Sequence, residues 1–290
     1  MSEPVDEGAV DEGAADDGTA VVVRNATPGL AVHLADGVLH VVLDRPAQAN
    51  VLDRGMVDGL NRLLEAAGAD ERVRAVLLGG AGDDFCVGVD ASPARGAGEA
   101  PRPRVGTLTR RLPQEQHRLV PLLVGVQTPV VCAVQGRAHD AGLALALAAD
   151  FTVVADDAEL RVGFGARGTT PDSGLTWLLP HRVGEVRARE MLLLDRGVTG
   201  AEAAAWGMVH AAVPATQLDV AVADLVEQLA RGATVALGLA KWLAHRGQAA
   251  HLEEHLRDEA FGLELSARSE DFREGLAALR DRRDPSFRGR

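Results

Sequence analysis

The chain has 290 residues, 47% of them hydrophobic and 25% charged, and a net charge of −12. That size and apolar content suit one large domain, or a domain with an appended subdomain, with a sizeable buried core. The acidic balance argues against a nucleic-acid partner, whose phosphates demand a basic face.

Residues 1–27 are rich in Gly, Ala and Asp and offer little to bury, so they read as a disordered acidic tail. Seven acidic residues precede Arg24, which leaves −5 for the rest of the chain. A body that mildly acidic still accommodates an anionic ligand through a local basic patch. No basic n-region or apolar h-region is visible, so no signal peptide is expected. No apolar stretch reaches the ~20 residues that span a membrane. The expected location is the cytoplasm, in keeping with only two cysteines, Cys86 and Cys132, in no metal-ligand spacing.

The folded body opens with strand-like segments at 30–34 and 38–43. Met56, Leu60, Leu63 and Leu64 then recur at helical spacing, and Gly68 stops that helix. A short apolar run at 75–78 reads as a buried strand and leads into the turn Gly79-Gly80-Ala81-Gly82. Residues 91–105, punctuated by Pro93, Gly96, Gly98, Pro101 and Pro103, read as a loop of functional length. A helix is expected from about 106 to 126, a strand at 129–134, a helix at 141–149 and a strand at 151–154. This alternation predicts a largely parallel α/β core. From Ala201 onward the pattern is almost wholly helical, with breaks near Gly207, Pro214 and Gly232. The expected division is therefore a tail (1–27), an α/β core carrying the site (28–200) and a helical oligomerisation or lid region (201–290).

Two strand-to-helix turns place glycines where backbone can approach a ligand closely: Phe85-Cys86-Val87-Gly88-Val89-Asp90 and Gln135-Gly136-Arg137-Ala138-His139-Asp140-Ala141-Gly142. The second opens a helix, whose free N–H groups stabilise a developing negative charge. With Leu43-Asp44-Arg45-Pro46, Asn50-Val51-Leu52 and Asp271-Phe272-Arg273-Glu274-Gly275, these turns resemble the crotonase, or enoyl-CoA hydratase/isomerase, superfamily, in order from residue 35 to the end. The resemblance implies a spiral of ββα units with a C-terminal helical region. It also implies trimers or dimers of trimers, an acyl-CoA thioester as substrate, and neither a resident cofactor nor a metal. Backbone N–H groups of Val89 and Ala141 would grip the thioester oxygen as an enolate forms, and losing one such donor typically costs ~2.7–4 kcal/mol. Val89, Asp90, Ala91, Ala141 and Arg45 are the implied contacts to the coenzyme A thioester. Arg54 and Arg95 also lie on segments that could reach its phosphates. Asp140 and Ala141 stand where the family usually has glycine. Asp140 is expected to cap the following helix, the other reading being a charge beside the oxyanion hole.

Family hydratases use two glutamates to position water and supply a proton. Carried over by position, those fall on Ala144 and Phe164, which hold no proton, so hydration is disfavoured. Asp172 stands where certain family isomerases carry a catalytic aspartate, and Pro171 to Pro180 are especially similar to the 1,2-epoxyphenylacetyl-CoA isomerase-like branch. The resemblance therefore implies an isomerase that moves a double bond through an enolate, with Asp172 as its single acid/base and Phe164 as an apolar wall. The bland reading of Asp172 is a turn residue capping the helix near Gly174. The alternatives are a non-catalytic acyl-CoA-binding homologue and, less favoured, an aryl-CoA dehalogenase. The last needs a histidine base, and only His117 could supply one. His139 is an ordinary loop histidine or an extra acid or base.

Overall fold

Strands β1 (Leu30–Ala35) and β2 (Val38–Leu43) form an antiparallel hairpin, Leu30 opposite Leu43 and Ala35 opposite Val38. The corner is Asp36-Gly37, both at positive φ (49° and 78°), the turn geometry whose twist matches that of the strands it joins. These features come from a computed structural model, which describes residues 27–90 and 104–290. The expected acidic tail up to residue 26, most of the 91–105 loop, Ala91 and Arg95 lie outside the described residues.

From β2 the chain repeats one unit four times: a strand in a main sheet, a short extended piece in a second layer, then a helix. In the first turn Leu52 is the extended piece and α1 (Arg54–Ala69) the helix. The Asp53 side chain caps α1 by accepting from the Met56 N–H at 2.9 Å, worth about 1 kcal/mol. Met56, Leu60, Leu63 and Leu64 turn inward on one face, as their spacing predicts. The second turn runs β3 (Ala75–Gly80), the segment 85–89, α2 (Thr107–Arg111) and α3 (Leu119–Gly125). The third is β4 (Val130–Val134), β5 (Arg137–His139) and α4 (Ala141–Ala148). The fourth is β6 (Phe151–Ala155), β7 (Glu159–Arg161) and α5 (Leu175–Leu194). Then follow β8 (Val198–Thr199), α6 (Gly200–Ala205), β9 (Ala211–Val213) and α7 (Leu218–Ala230). The chain ends in α8 (Thr234–Gly247), α9 (Leu252–Ser266) and α10 (Glu270–Asp281).

The main sheet has the order β1-β2-β3-β4-β6-β9, parallel except for the β1–β2 hairpin, and the second sheet has the order β5-β7-β8. Isolated bridges Leu52–Val89 and Cys86–Ala138 continue the second layer beside β5. This is the crotonase-like spiral that the resemblance implies, with helices on its outside. The apolar core between the layers is built mostly of Leu, Val and Ala. On the main sheet's other face, Leu218, Val222, Val226 and Ala230 of α7 pack against Val38, Ala75, Val131 and Val153.

Two expectations are corrected. The single helix over 106–126 is broken: between α2 and α3 lie two 3-10 turns, 112–114 and 116–118, hinged at Glu115 (φ −116°, ψ −115°). Pro113 explains the break, since it lacks an N–H and its ring clashes with the carbonyl four residues earlier. The last third is not purely helical either. β9 lies beyond Ala201 and extends the main sheet beside β6, so the α/β core runs on through α7.

Candidate active site

The two glycine turns lie side by side because their backbones are bonded to one another. The Phe85 and Cys86 N–H groups donate to the Gln135 and Arg137 carbonyls (2.9 and 3.0 Å), and the His139 N–H returns a bond to the Cys86 carbonyl (2.9 Å). On the outer side the Leu52 N–H donates to the Gly88 carbonyl and the Asp90 N–H to the Leu52 carbonyl, both at 2.8 Å. Among the described residues the N–H groups of Val89 and Ala141 donate to no protein acceptor. Gly142 makes this apposition possible: a Cβ there would sit 2.1 Å from the Cys86 carbonyl oxygen. All eight residues of α4 are buried, so the helix directs its N-terminal end at the turn from a water-excluded position.

Val89 and Ala141 line one cleft of about 730 Å³, together with Asp90, Phe164 and Asp172. Asp172 is half-buried there, and its carboxylate accepts from Gln116 Nε2 at 2.9 Å and from Ser173 Oγ at 2.7 Å. The cap reading of Asp172 does not hold. The N-cap of α5 is Gly174, at φ 84°, and no side chain caps the helix. Phe164 is 7% exposed and forms an apolar wall, with the Arg167 guanidinium over its ring at 4.9 Å. Ala144 is buried one turn along α4 from Ala141. A wider groove of about 1050 Å³ runs between α7 and the main sheet, but it contains neither of the free N–H groups.

Asp172 is less isolated than the sequence suggests. The break at Pro113 carries Glu115 and Gln116 into the cleft, where Glu115 pairs with Arg54 at 3.3 Å and with Arg111 at 3.2 Å. Reading the segment as one continuous helix hid both residues; the Pro113 signal could have revealed them. His117 does not line the cleft, so the break delivers Gln116 in place of the histidine that a dehalogenase needs.

Asp140 is the second correction at the site. It occupies the N-cap position of α4 but makes no capping hydrogen bond. Its carboxylate instead pairs with Arg167 Nη2 at 2.6 Å and is buried between Gly88 and Gly163. Burial pushes this carboxyl above the usual carboxylate range, against the pull of Arg167. His139 points away to Glu159 (3.5 Å), and burial holds its imidazole below its ordinary value. Arg45 is bound to Asp53 (3.0 Å) and the Val51 carbonyl (3.2 Å), outside the cleft lining, whereas Arg54 is in it. Both cysteines are fully buried, and that burial pushes the Cys86 thiol up to about 12 and raises Cys132 as well.

The chain matches the profile of the family described as Enoyl-CoA hydratase/isomerase over residues 33–290. It is 34% identical over 262 residues to the 1,2-epoxyphenylacetyl-CoA isomerase of Escherichia coli (strain K12), covering 89% of this chain and 97% of that protein. It is 35% identical over 257 residues to a Rhodobacter capsulatus protein named "Probable enoyl-CoA hydratase", covering 89% and 96%. Among solved structures, an enoyl-CoA hydratase from Bacillus anthracis superposes with a TM-score of 0.82 at 28% identity, covering 90% of this chain and all of that one.

Proposed function

The chain belongs to the enoyl-CoA hydratase/isomerase family, and from that premise we propose that it is an acyl-CoA isomerase with Asp172 as its single acid/base. The observation that carries this reading is one cleft lined by Asp172 and by Val89 and Ala141, whose N–H groups have no acceptor among the described residues. The thioester oxygen of a 3-enoyl-CoA would accept from both N–H groups. The Asp172 carboxylate takes a proton from C2, and the electron pair moves into the thioester as a dienolate held by the two donors. The same carboxyl returns the proton to C4, and the double bond moves from C3–C4 to C2–C3. No water is added and no second acid is needed, which suits a site whose family glutamate positions are Ala144 and Phe164. Assembly as a homo-oligomer belongs to the same proposal. It is supported by apolar side chains exposed on α9 and α10, among them Leu252, Phe261, Leu263 and Leu279.

The test is the conversion of 3-enoyl-CoA substrates by the wild type beside Asp172→Asn. The expected result is isomerisation that falls by at least ~100-fold in the variant, the scale of general acid–base contributions. Equal rates would remove Asp172 from the mechanism, and no turnover on any acyl-CoA would support a binding protein. One observation favours a second reading: Glu115 gives the cleft another carboxylate. If Glu115 acted on water, 2-enoyl-CoA would be hydrated and Glu115→Gln would abolish it. Its two arginine partners argue against that role.

A further inference from the structure

Asp140 holds the backbone in a conformation that an ordinary L-residue avoids. Its φ of 52° and ψ of −119° are those of the first corner residue in a type II′ turn, a position dominated by Gly, Asn and Asp. Such a conformation is strained for a non-glycine residue and persists only where its surroundings impose it. The ψ of residue 140 has a direct chemical consequence. It sets the plane of the 140–141 peptide and therefore the direction of the Ala141 N–H.

The polar partners that impose it lie on the segment 161–167. The Asp140 N–H donates to the Arg161 carbonyl at 3.1 Å, and its carboxylate is held by Arg167. Room for the side chain exists because residues 88 and 163 are glycines: a Cβ on Gly88 would stand 3.0 Å from the Asp140 Cβ, and one on Gly163 2.7 Å from Asp140 Oδ1. The segment is itself anchored, since Asp195 accepts from the Gly163 N–H (2.7 Å) and pairs with Arg161 (2.9 Å). The Arg167 guanidinium also sits over the Phe164 ring, 4.9 Å from its centroid, a second contact beside the ion pair.

We propose that Arg167 is a positioning residue for the oxyanion hole: through its ion pair with the Asp140 carboxylate it locks the 140–141 peptide so that the Ala141 N–H faces the thioester oxygen. This rests on the assignment of Ala141 as a hole donor. A glycine at 140 would adopt the same dihedrals without a lock, whereas an aspartate that loses its partner is both strained and an unpaired buried charge. Arg167 therefore acts on the reaction through Asp140.

The experiment is a rescue. Arg167→Ala is expected to lower kcat by at least ~30-fold with a smaller change in KM, a large part of the effect of losing one hole donor. The double variant Asp140→Gly/Arg167→Ala is expected to regain at least ~10-fold over Arg167→Ala, because glycine restores the peptide plane without the pair. A double variant no better than the single one, or a single variant as active as the wild type, would overturn the proposal. If Arg167→Ala does not fold, Asp140→Ala is compared with Asp140→Gly: glycine is expected to be faster by at least ~10-fold, and equality counts against the lock. A spectroscopic readout separates this inference from the assignment beneath it. Butanoyl-CoA carrying ¹³C at the thioester carbonyl is bound to each protein and its C=O stretch read by difference infrared spectroscopy. A wild-type shift to lower frequency, diminished in Arg167→Ala and restored in the double variant, is expected. No shift in the wild type would remove the hole itself; a shift unchanged in Arg167→Ala would remove only the lock.

Discussion

Gln116 shows what a single residue contributes to this site beyond its own chemistry. Its amide donates to one oxygen of Asp172 while Ser173 holds the other, so the carboxylate has one orientation in the cleft. Hydrogen bonds to charged groups contribute about 1.5–3 kcal/mol, so Gln116→Leu is expected to lower kcat ~10-fold with KM little changed. Steady-state kinetics on a 3-enoyl-CoA check this, and an unaltered kcat would show that Asp172 needs no such support. Asp172 was legible in the sequence because its neighbours from Pro171 to Pro180 identify its position. Gln116 was not, because only the folded chain shows where the segment beyond Pro113 goes. Asp140 was half legible. Its position was found, but the general preference of Asp for N-caps pointed to the wrong partner, and the φ that decides the matter is absent from a sequence.

At the scale of elements, long runs of regular spacing were readable and very short ones were not. The β2 bounds and the inward face of α1 follow from their apolar patterns. β5, β7 and β9 have three residues each and β8 two, too few for any period to show, and pairing with neighbours alone makes them strands. The β1–β2 hairpin carries a pH dependence of its own. His33 and His40 face each other across it, rings stacked at 4.2 Å. Burial, and then the neighbouring His33, hold His40 below its ordinary value of 6.5. The unfolded chain therefore takes up a proton more readily than the folded one. The contribution of neutral His40 is fully present above about pH 6.5 and is lost as pH falls through the folded value. Urea midpoints are expected to drop from pH 7 to pH 5, and to drop less in His40→Gln. A variant with the same pH slope as the wild type would exclude His40 as a source.

For the whole molecule, the spiral was legible from the order of its motifs, not from periodicity. Glycine turns near 88 and 142 and an Arg-Pro corner at 45–46 occur in the order that the resembled family carries them, and the spiral was implied by that resemblance. Among the described residues no helix is long and apolar enough to cross a membrane. The architecture sets two strand-to-helix turns from different coils of the spiral against one another and brings the α5 entrance across from them. That is how residues 89, 141 and 172, far apart in the chain, share one cleft. The central claim is that one carboxyl both removes and returns the proton there. It is tested most directly by a single turnover of 3-enoyl-CoA deuterated at C2, in ordinary water, with the product's C4 read by mass spectrometry or NMR. Transfer through Asp172 predicts deuterium at C4 of the 2-enoyl product; a product carrying only solvent hydrogen at C4 would contradict it.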